Sequence, residues 1–291
     1  MTACDRSCGN RRRWHAPYAI LVAAALAGCT TADALDVQGP AISFTTPARY
    51  AAIVVDANDG HVLYSSNADD RRYPASLTKM MTLYLLFQAM AAGRVQPTTL
   101  IPVSAHAASE PPTRIGFRPG ETIDVDSAIK AIVTRSANDV AVAIGEYLGG
   151  TEENFAAMMT AKAHALGMSG TRFANASGLP DPDQWTTARD MALLGLALRQ
   201  NFPQYYHYFS VEQFTFRGHL IRGHNKVLDR VAGADGIKTG YTRASGYNIA
   251  SSVKENGRSL VAVIMGEDSV RMRREHIAAL LDAYLPRASV K

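Results

Sequence analysis

The sequence predicts an α+β fold in which one antiparallel sheet is assembled from both chain ends around an inserted helical lobe. Two observations carry this. Short apolar runs separated by turn residues stand just after residue 50 and again after residue 246, and the chain between them shows mostly helical periodicity. An apolar fraction of 47% in 291 residues is enough to bury a real core. There is no internal repeat and no low-complexity tract.

In chain order, Ala52-Ile53-Val54-Val55 reads as a strand, Asn58-Asp59-Gly60 as a turn and Val62-Leu63-Tyr64 as the returning strand. The first helix is expected from Ser76 to Met90, apolar almost all round and so buried in the middle of the domain. Further helices are expected over Asp126–Thr134, Asn138–Leu148 ending at Gly149-Gly150, and Glu152–Leu166 ending at Gly167. Another begins at Thr187, with Asp190 placed three residues on for a capping box. Gly246–Val253 and Leu260–Met265 form a second hairpin through Asn256-Gly257, and a last helix follows over Val270–Tyr284. Little more than fifty residues follow Gly240, and these elements use most of them, so a second domain is not expected.

The N-terminal segment reads differently. Arg11-Arg12-Arg13 precede an apolar stretch from Tyr18 to Ala27 that is too short to span a bilayer, the pattern of an export signal. Leu26-Ala27-Gly28-Cys29 resembles a bacterial lipobox, which would make Cys29 the lipid-bearing first residue; Ala32-Asp33-Ala34 offers an ordinary cleavage site. The lipobox is favoured. Residues 1–34 are therefore assigned to signal and leader, 35–49 to a linker, and 50–291 to a single folded domain.

The formal net charge of +4 belongs largely to the signal. Without the four arginines and one aspartate of the first 29 residues, 26 basic face 25 acidic side chains, which leaves no electrostatic footprint for nucleic acid. All three cysteines, Cys4, Cys8 and Cys29, lie in the same region, so neither a disulfide nor thiol chemistry is expected in the folded domain. His219 and His224 lack a carboxylate at metal spacing, no H-E-x-x-H occurs, and no Gly-rich phosphate cradle is present. No metal or cofactor is expected.

Chemistry is suggested by three short motifs taken together. Ser76-Leu77-Thr78-Lys79 places a hydroxyl and an amine on one helix face, where the amine could activate a nucleophile. The motif alone is weak, since Ser251-Ser252-Val253-Lys254 matches it too, and Ser65-Ser66-Asn67 is a decoy for the second motif, Ser136-Ala137-Asn138. Lys238-Thr239-Gly240 occurs once. Only Ser76, Ser136 and Lys238 stand in the order S-x-x-K, S-x-N, K-T-G on a helix, a helix start and a strand.

On these motifs the chain resembles the active-site-serine penicillin-binding proteins, most closely the low-molecular-mass D-alanyl-D-alanine carboxypeptidases. The resemblance covers about Ala51 to Tyr284, and the segments "SANDVAVAIGEYLGG", "NASGLPDPDQWTTARDMALL", "GHNKVL" and "GYNIASS" agree with it in order. It implies a β-lactamase-like transpeptidase fold. It also implies an exported, periplasmic or envelope enzyme acting on peptidoglycan stem peptides and acylated by β-lactams. Ser76 would be the nucleophile and Lys79 its base, the pKa of Lys79 lowered by burial and by Lys238. Ser136 would relay the proton to the leaving amine, and Asn138 would hold the substrate's peptide amide. Backbone N–H groups of Ser76 and Tyr241 would stabilise the oxyanion, each donor worth about 3 kcal/mol. Lys238 and Thr239 would bind the terminal carboxylate, with Gly240 letting the strand edge approach the peptide.

The same motifs serve a D,D-endopeptidase that cuts cross-links, or a sensor that is acylated without turnover. A class A β-lactamase is disfavoured: its deacylating glutamate should fall about thirty residues after the second motif, and Leu166–Arg172 contains no acid. Glu152 and Glu153 come too early and suit a helix N-terminus. Some relatives carry an arginine where this chain has His224 before Asn225, so that carboxylate anchor is not expected. Phe202, Tyr205, Tyr206, Tyr208 and Phe209 read as core and subsite wall. The β-rich second domain and C-terminal amphipathic helix of many such carboxypeptidases are not found, and a lipid on Cys29 would attach the protein from the other end.

Overall fold

The computed structural model describes residues 46–291, which belong to one compact unit. The signal, the three cysteines, both cleavage positions and most of the linker lie outside the described residues.

β1 (Ala51–Asp56) and β2 (Val62–Ser66) form the expected opening hairpin, with Gly60 at φ 85° supplying the left-handed turn residue. A 3-10 turn over Ala75–Thr78 leads into α1 (Lys79–Ala91). The helix therefore starts three residues later than expected, because Ala75 sits at φ 49°, outside the right-handed helical region. In a 3-10 turn residues i and i+3 eclipse, so Ser76 and Lys79 still face each other. Eleven of the thirteen α1 residues are buried, in line with its all-round apolar sequence.

β3 (Leu100–Pro102), α2 (Ala105–Ser109) and β4 (Thr122–Asp124) follow, then α3 (Val125–Thr134), α4 (Asn138–Gly149), α5 (Glu152–Ala165) and α6 (Ala188–Asn201). The four long helices match expectation to within a residue or two. At α6 the capping box is half formed: the Thr187 hydroxyl accepts the Asp190 N–H, but the Asp190 carboxylate accepts from the Gly170 N–H and the Thr171 hydroxyl instead of reaching back. β5 (Gln213–Phe216) and β6 (His219–Arg222) turn through Arg217 and Gly218, both at positive φ. Neither this hairpin nor the β3–β4 pair was expected. Strands of three or four residues, mostly exposed, hold too little alternation to stand out.

β7 (Ala234–Thr242), β8 (Gly246–Glu255) and β9 (Arg258–Glu267) complete a five-stranded antiparallel sheet in the order β2-β1-β9-β8-β7, and α7 (Val270–Tyr284) follows. The chain ends meet as β1 pairs with β9, from Ala51 opposite Met265 to Asp56 opposite Leu260. These two strands are buried on both faces, so both sets of alternating side chains are apolar. Ile53, Val55, Val261 and Val263 face the helices of the inserted lobe, while Ala52, Val54, Leu260 and Ile264 face Ile277, Leu280 and Leu281 of α7. Each such side chain contributes about 1.5–3 kcal/mol on burial. The result is three layers, α7, sheet and helical lobe, with β7 on the outer edge of the sheet beside the lobe. Phe202, Tyr205, Tyr208 and Phe209 surround Phe87 of α1 at ring separations of 5.3–6.2 Å, which makes this aromatic run core.

Candidate active site

The 3-10 turn carrying Ser76 is held from three sides. Asn248, fully buried in β8, donates from its amide to the carbonyls of Tyr73 and Pro74 (2.9 and 3.1 Å) and accepts the Gly266 N–H (2.9 Å). This clamp ties the residues before Ser76 to two central strands. On the second side lies β7: a Cβ at Gly240 would stand 3.0 Å from the Ser76 nitrogen and 3.3 Å from the Leu77 nitrogen. The missing side chain of Gly240 thus makes room for the turn that carries Ser76.

The third side is the Asn175–Leu179 loop. Its Gly178 has φ 81°, and a Cβ there would fall 1.9 Å from the Ala75 carbonyl oxygen. Gly178→Ala combines this clash with left-handed strain. It should cost several kcal/mol, about 3 or more, seen as a Tm drop of about 10 °C or as insoluble protein; an unchanged Tm would contradict the close packing.

Lys79 is fully buried at the start of α1. Its Nζ lies 2.7 Å from Asn138 Oδ1, 2.5 Å from the Ser177 carbonyl oxygen and 3.2 Å from Ser76 Oγ. Two of these partners are carbonyl oxygens that only accept, so they take two N–H bonds. A neutral amine then has its lone pair left for the Ser76 hydroxyl. Burial is the main reason the Lys79 pKa falls, to about 7, against the pull of Glu110, Asp139 and Glu152, which favour the charged form. Lys238 was expected to share in lowering it. The repulsion falls instead on Lys238, itself pushed well below the usual lysine range by burial, then by Lys79 and Arg273.

Ser136 and Asn138 sit where α3 gives way to α4. The N-cap of α4 is Ala137, with no side-chain cap, so neither flanking residue is there merely to cap the helix. Ser136 takes φ 59°, an unusual conformation for serine, and its hydroxyl is buried with no partner. A strained residue holding an unpaired polar atom at a cleft wall fits a group waiting for a ligand or a proton. Asn138 uses Oδ1 on Lys79 and one N–H on the Pro111 carbonyl, which leaves one amide N–H. Its side chain thus orients the Lys79 amine.

These segments converge on one cleft of about 560 Å³, lined by Ser76, Ser136, Asn138, Thr239, Gly240 and Tyr241. Lys238 stands behind the wall, buried, donating to the Thr239 carbonyl (2.8 Å). Tyr241 is 53% exposed and stacks on Tyr247 at 4.2 Å. Ser251 and Ser252 are buried within β8, and Ser65 and Ser66 close β2, so the decoy motifs form no part of the cleft.

Reading the motifs missed three participants. Ser177 contributes a main-chain carbonyl, which leaves no trace in residue type. Asn248 does leave one, as an amide side chain within a strand run, where β propensity disfavours it. Arg273 enters the cleft from α7, buried, with its Nε unpartnered; burial lowers its pKa to about 10, so it stays cationic at neutral pH. His224 also lines the cleft, its ring still open to solvent, and partial desolvation and then the cations Lys238, Arg135, Arg273 and Lys226 lower its pKa. Residue 224 is therefore held toward its neutral form, and Arg273 brings a buried positive charge to a cleft whose rim also carries Lys226.

Comparison with known proteins agrees with this geometry. The family model described as D-alanyl-D-alanine carboxypeptidase, peptidase S11, matches residues 40–269. The chain is 38% identical over 236 residues to the D-alanyl-D-alanine carboxypeptidase DacA of Escherichia coli K12, covering 79% of this chain and 59% of that protein. It thus spans about three-fifths of the length of that relative. Among solved structures, the D-alanyl-D-alanine carboxypeptidase DacD from Francisella tularensis superposes with a TM-score of 0.79 at 31% identity, over 84% of this chain and 71% of that one. Penicillin-binding protein D2 from Listeria monocytogenes, in its cefotaxime-bound form, gives 0.73 at 28% identity, over 80% and 95%. The fold is that of the low-molecular-mass penicillin-binding proteins, and the chain belongs to the D-alanyl-D-alanine carboxypeptidase family of serine peptidases.

Proposed function

We propose that the protein is a serine-type D-Ala-D-Ala carboxypeptidase that removes the terminal D-Ala from peptidoglycan stem peptides through an acyl-serine. The observation that carries this reading is the environment of Lys79, whose two carbonyl partners aim a neutral amine at the Ser76 hydroxyl. Lys79 takes the proton as Ser76 Oγ attacks the D-Ala-D-Ala amide. The N–H groups of Ser76 and Tyr241 hold the oxyanion. Lys79 gives that proton up through Ser136, whose hydroxyl has no competing partner, to the leaving nitrogen as the C–N bond breaks and D-Ala departs, so that Lys79 is neutral again and Ser136 keeps its hydroxyl. Water then attacks the acyl-Ser76 ester with Lys79 as base.

For the substrate carboxylate, Thr239 supplies a hydroxyl and Arg273 a permanent charge. The arriving carboxylate favours the charged form of Lys238, because the new negative charge offsets the burial and repulsion that lower its pKa. A β-lactam presents a comparable carboxylate and amide, and would leave a slowly hydrolysed acyl-Ser76. The envelope is the corresponding location, reached through the N-terminal signal and retained by a lipid on Cys29. Among the described residues no helix is long and apolar enough to cross a membrane.

The test is to incubate the protein with pentapeptide monomers and, separately, with cross-linked dimers. Steady release of D-Ala from monomers alone is expected. Cleavage of dimers without release from monomers would make it an endopeptidase, and stoichiometric penicillin capture without peptide turnover would make it a sensor.

A further inference from the structure

A second cluster of ligating side chains lies away from the cleft, where α2 meets the start of α5. His106 and Glu110 are four residues apart across the end of α2, and Glu152 opens α5. One ligand atom from each lies within 4.8 Å of the others. The His106 Nε2 is already 2.9 Å from Glu152 Oε2. The other Glu152 oxygen accepts the Ala176 N–H at 2.9 Å, which fixes the carboxylate's orientation.

Glu110 supplies an independent observation. Its side chain is only 9% exposed, and its Oε2 is buried without any hydrogen-bond partner. Leaving a carboxylate oxygen dry and unpaired costs roughly 1–3 kcal/mol or more, and a second carboxylate nearby adds repulsion. A cation between them would remove both penalties.

We propose that His106, Glu110 and Glu152 form a binding site for a divalent first-row metal ion, zinc(II) being the best match. One imidazole and two carboxylates suit zinc, at bond lengths of about 2.0–2.2 Å. Tetrahedral ligands at that distance are about 3.4 Å apart, so the widest separation must close by at most about 1.4 Å, while His106 and Glu152 open by about half an ångström. Calcium and magnesium, which prefer all-oxygen shells, fit less well. The site would also reach the base: Glu110 and Glu152 are two of the three acids that favour charged Lys79, and Glu152 holds Ala176, next to the Ser177 carbonyl that binds it. A bound dication would screen both acids and make the neutral amine easier to form.

The test uses the untagged full-length chain, stripped with chelator and titrated with zinc chloride by calorimetry. One ion per chain at micromolar affinity or tighter is expected, weakened at least tenfold in both His106→Ala and Glu110→Gln. The first residue is exposed and the second change is isosteric, so both variants should fold, with circular dichroism as the check. Absence of zinc binding below about 1 mM, or binding undiminished in the two variants, would overturn the site. This readout does not depend on the carboxypeptidase reading. If that reading holds, zinc-loaded wild type should also remain active to lower pH than the metal-free enzyme, and His106→Ala should show no such response.

Discussion

Ser76→Ala should abolish covalent capture of penicillin and lower D-Ala release by about 10⁴-fold or more. The change removes one oxygen from a half-buried position whose backbone is held by Asn248, Gly240 and the Asn175–Leu179 loop. The turn should therefore keep its shape, and Tm should stay within a few degrees of wild type. That separates loss of the nucleophile from loss of the fold. Intact-mass measurement after penicillin treatment shows a single adduct on wild type and none on the variant. An adduct that persists in Ser76→Ala would place the nucleophile elsewhere.

The second large effect is on pH. In the proposed mechanism Lys79 acts only as the neutral amine, and burial brings its pKa down to about 7. Below that value the charged form dominates, so kcat/KM for a D-Ala-D-Ala peptide should fall by about tenfold per pH unit, and above it the profile should level off. The sign follows from desolvation, which penalises the ammonium and not the amine. Lys79→Arg should be inactive at every pH, because a guanidinium stays protonated and its charge would be buried against Asn138 and Ser177. A wild-type profile that keeps rising to pH 9 or beyond would show that the amine is not desolvated enough to serve as the base. A flat profile through pH 7 would assign the base to another group.

Much of this site could be read before any coordinates because its parts are residue types at short spacing. Ser76 and Lys79 are three residues apart, Ser136 and Asn138 two apart, and Lys238 and Gly240 likewise, and each spacing has meaning within a single local element. The helices were legible for the same reason, since a buried face repeats every turn. The short β3–β4 and β5–β6 pairs were not, because their pairing is decided by a partner strand rather than by their own pattern. Arg273 and Asn248 could be seen as residues but not assigned, since one acts from the last helix and the other by reaching 175 residues back to Tyr73. His106 and Glu110 have helical spacing too, yet without Glu152, 42 residues after Glu110, they look like an ordinary surface pair.

By itself the sequence determined the three motifs, the family and a sheet closed by the two chain ends, since hydrophobic period and residue type are properties of short segments. Only the tertiary structure decided what those residues face. That Lys79 is dry and bound to two carbonyls, that Gly240 is bare where Ser76 packs against it, and that Arg273 brings a buried charge to the cleft from the last helix are all consequences of long-range packing. Desolvation and contact depend on which distant surfaces close over a side chain, and no local pattern encodes them.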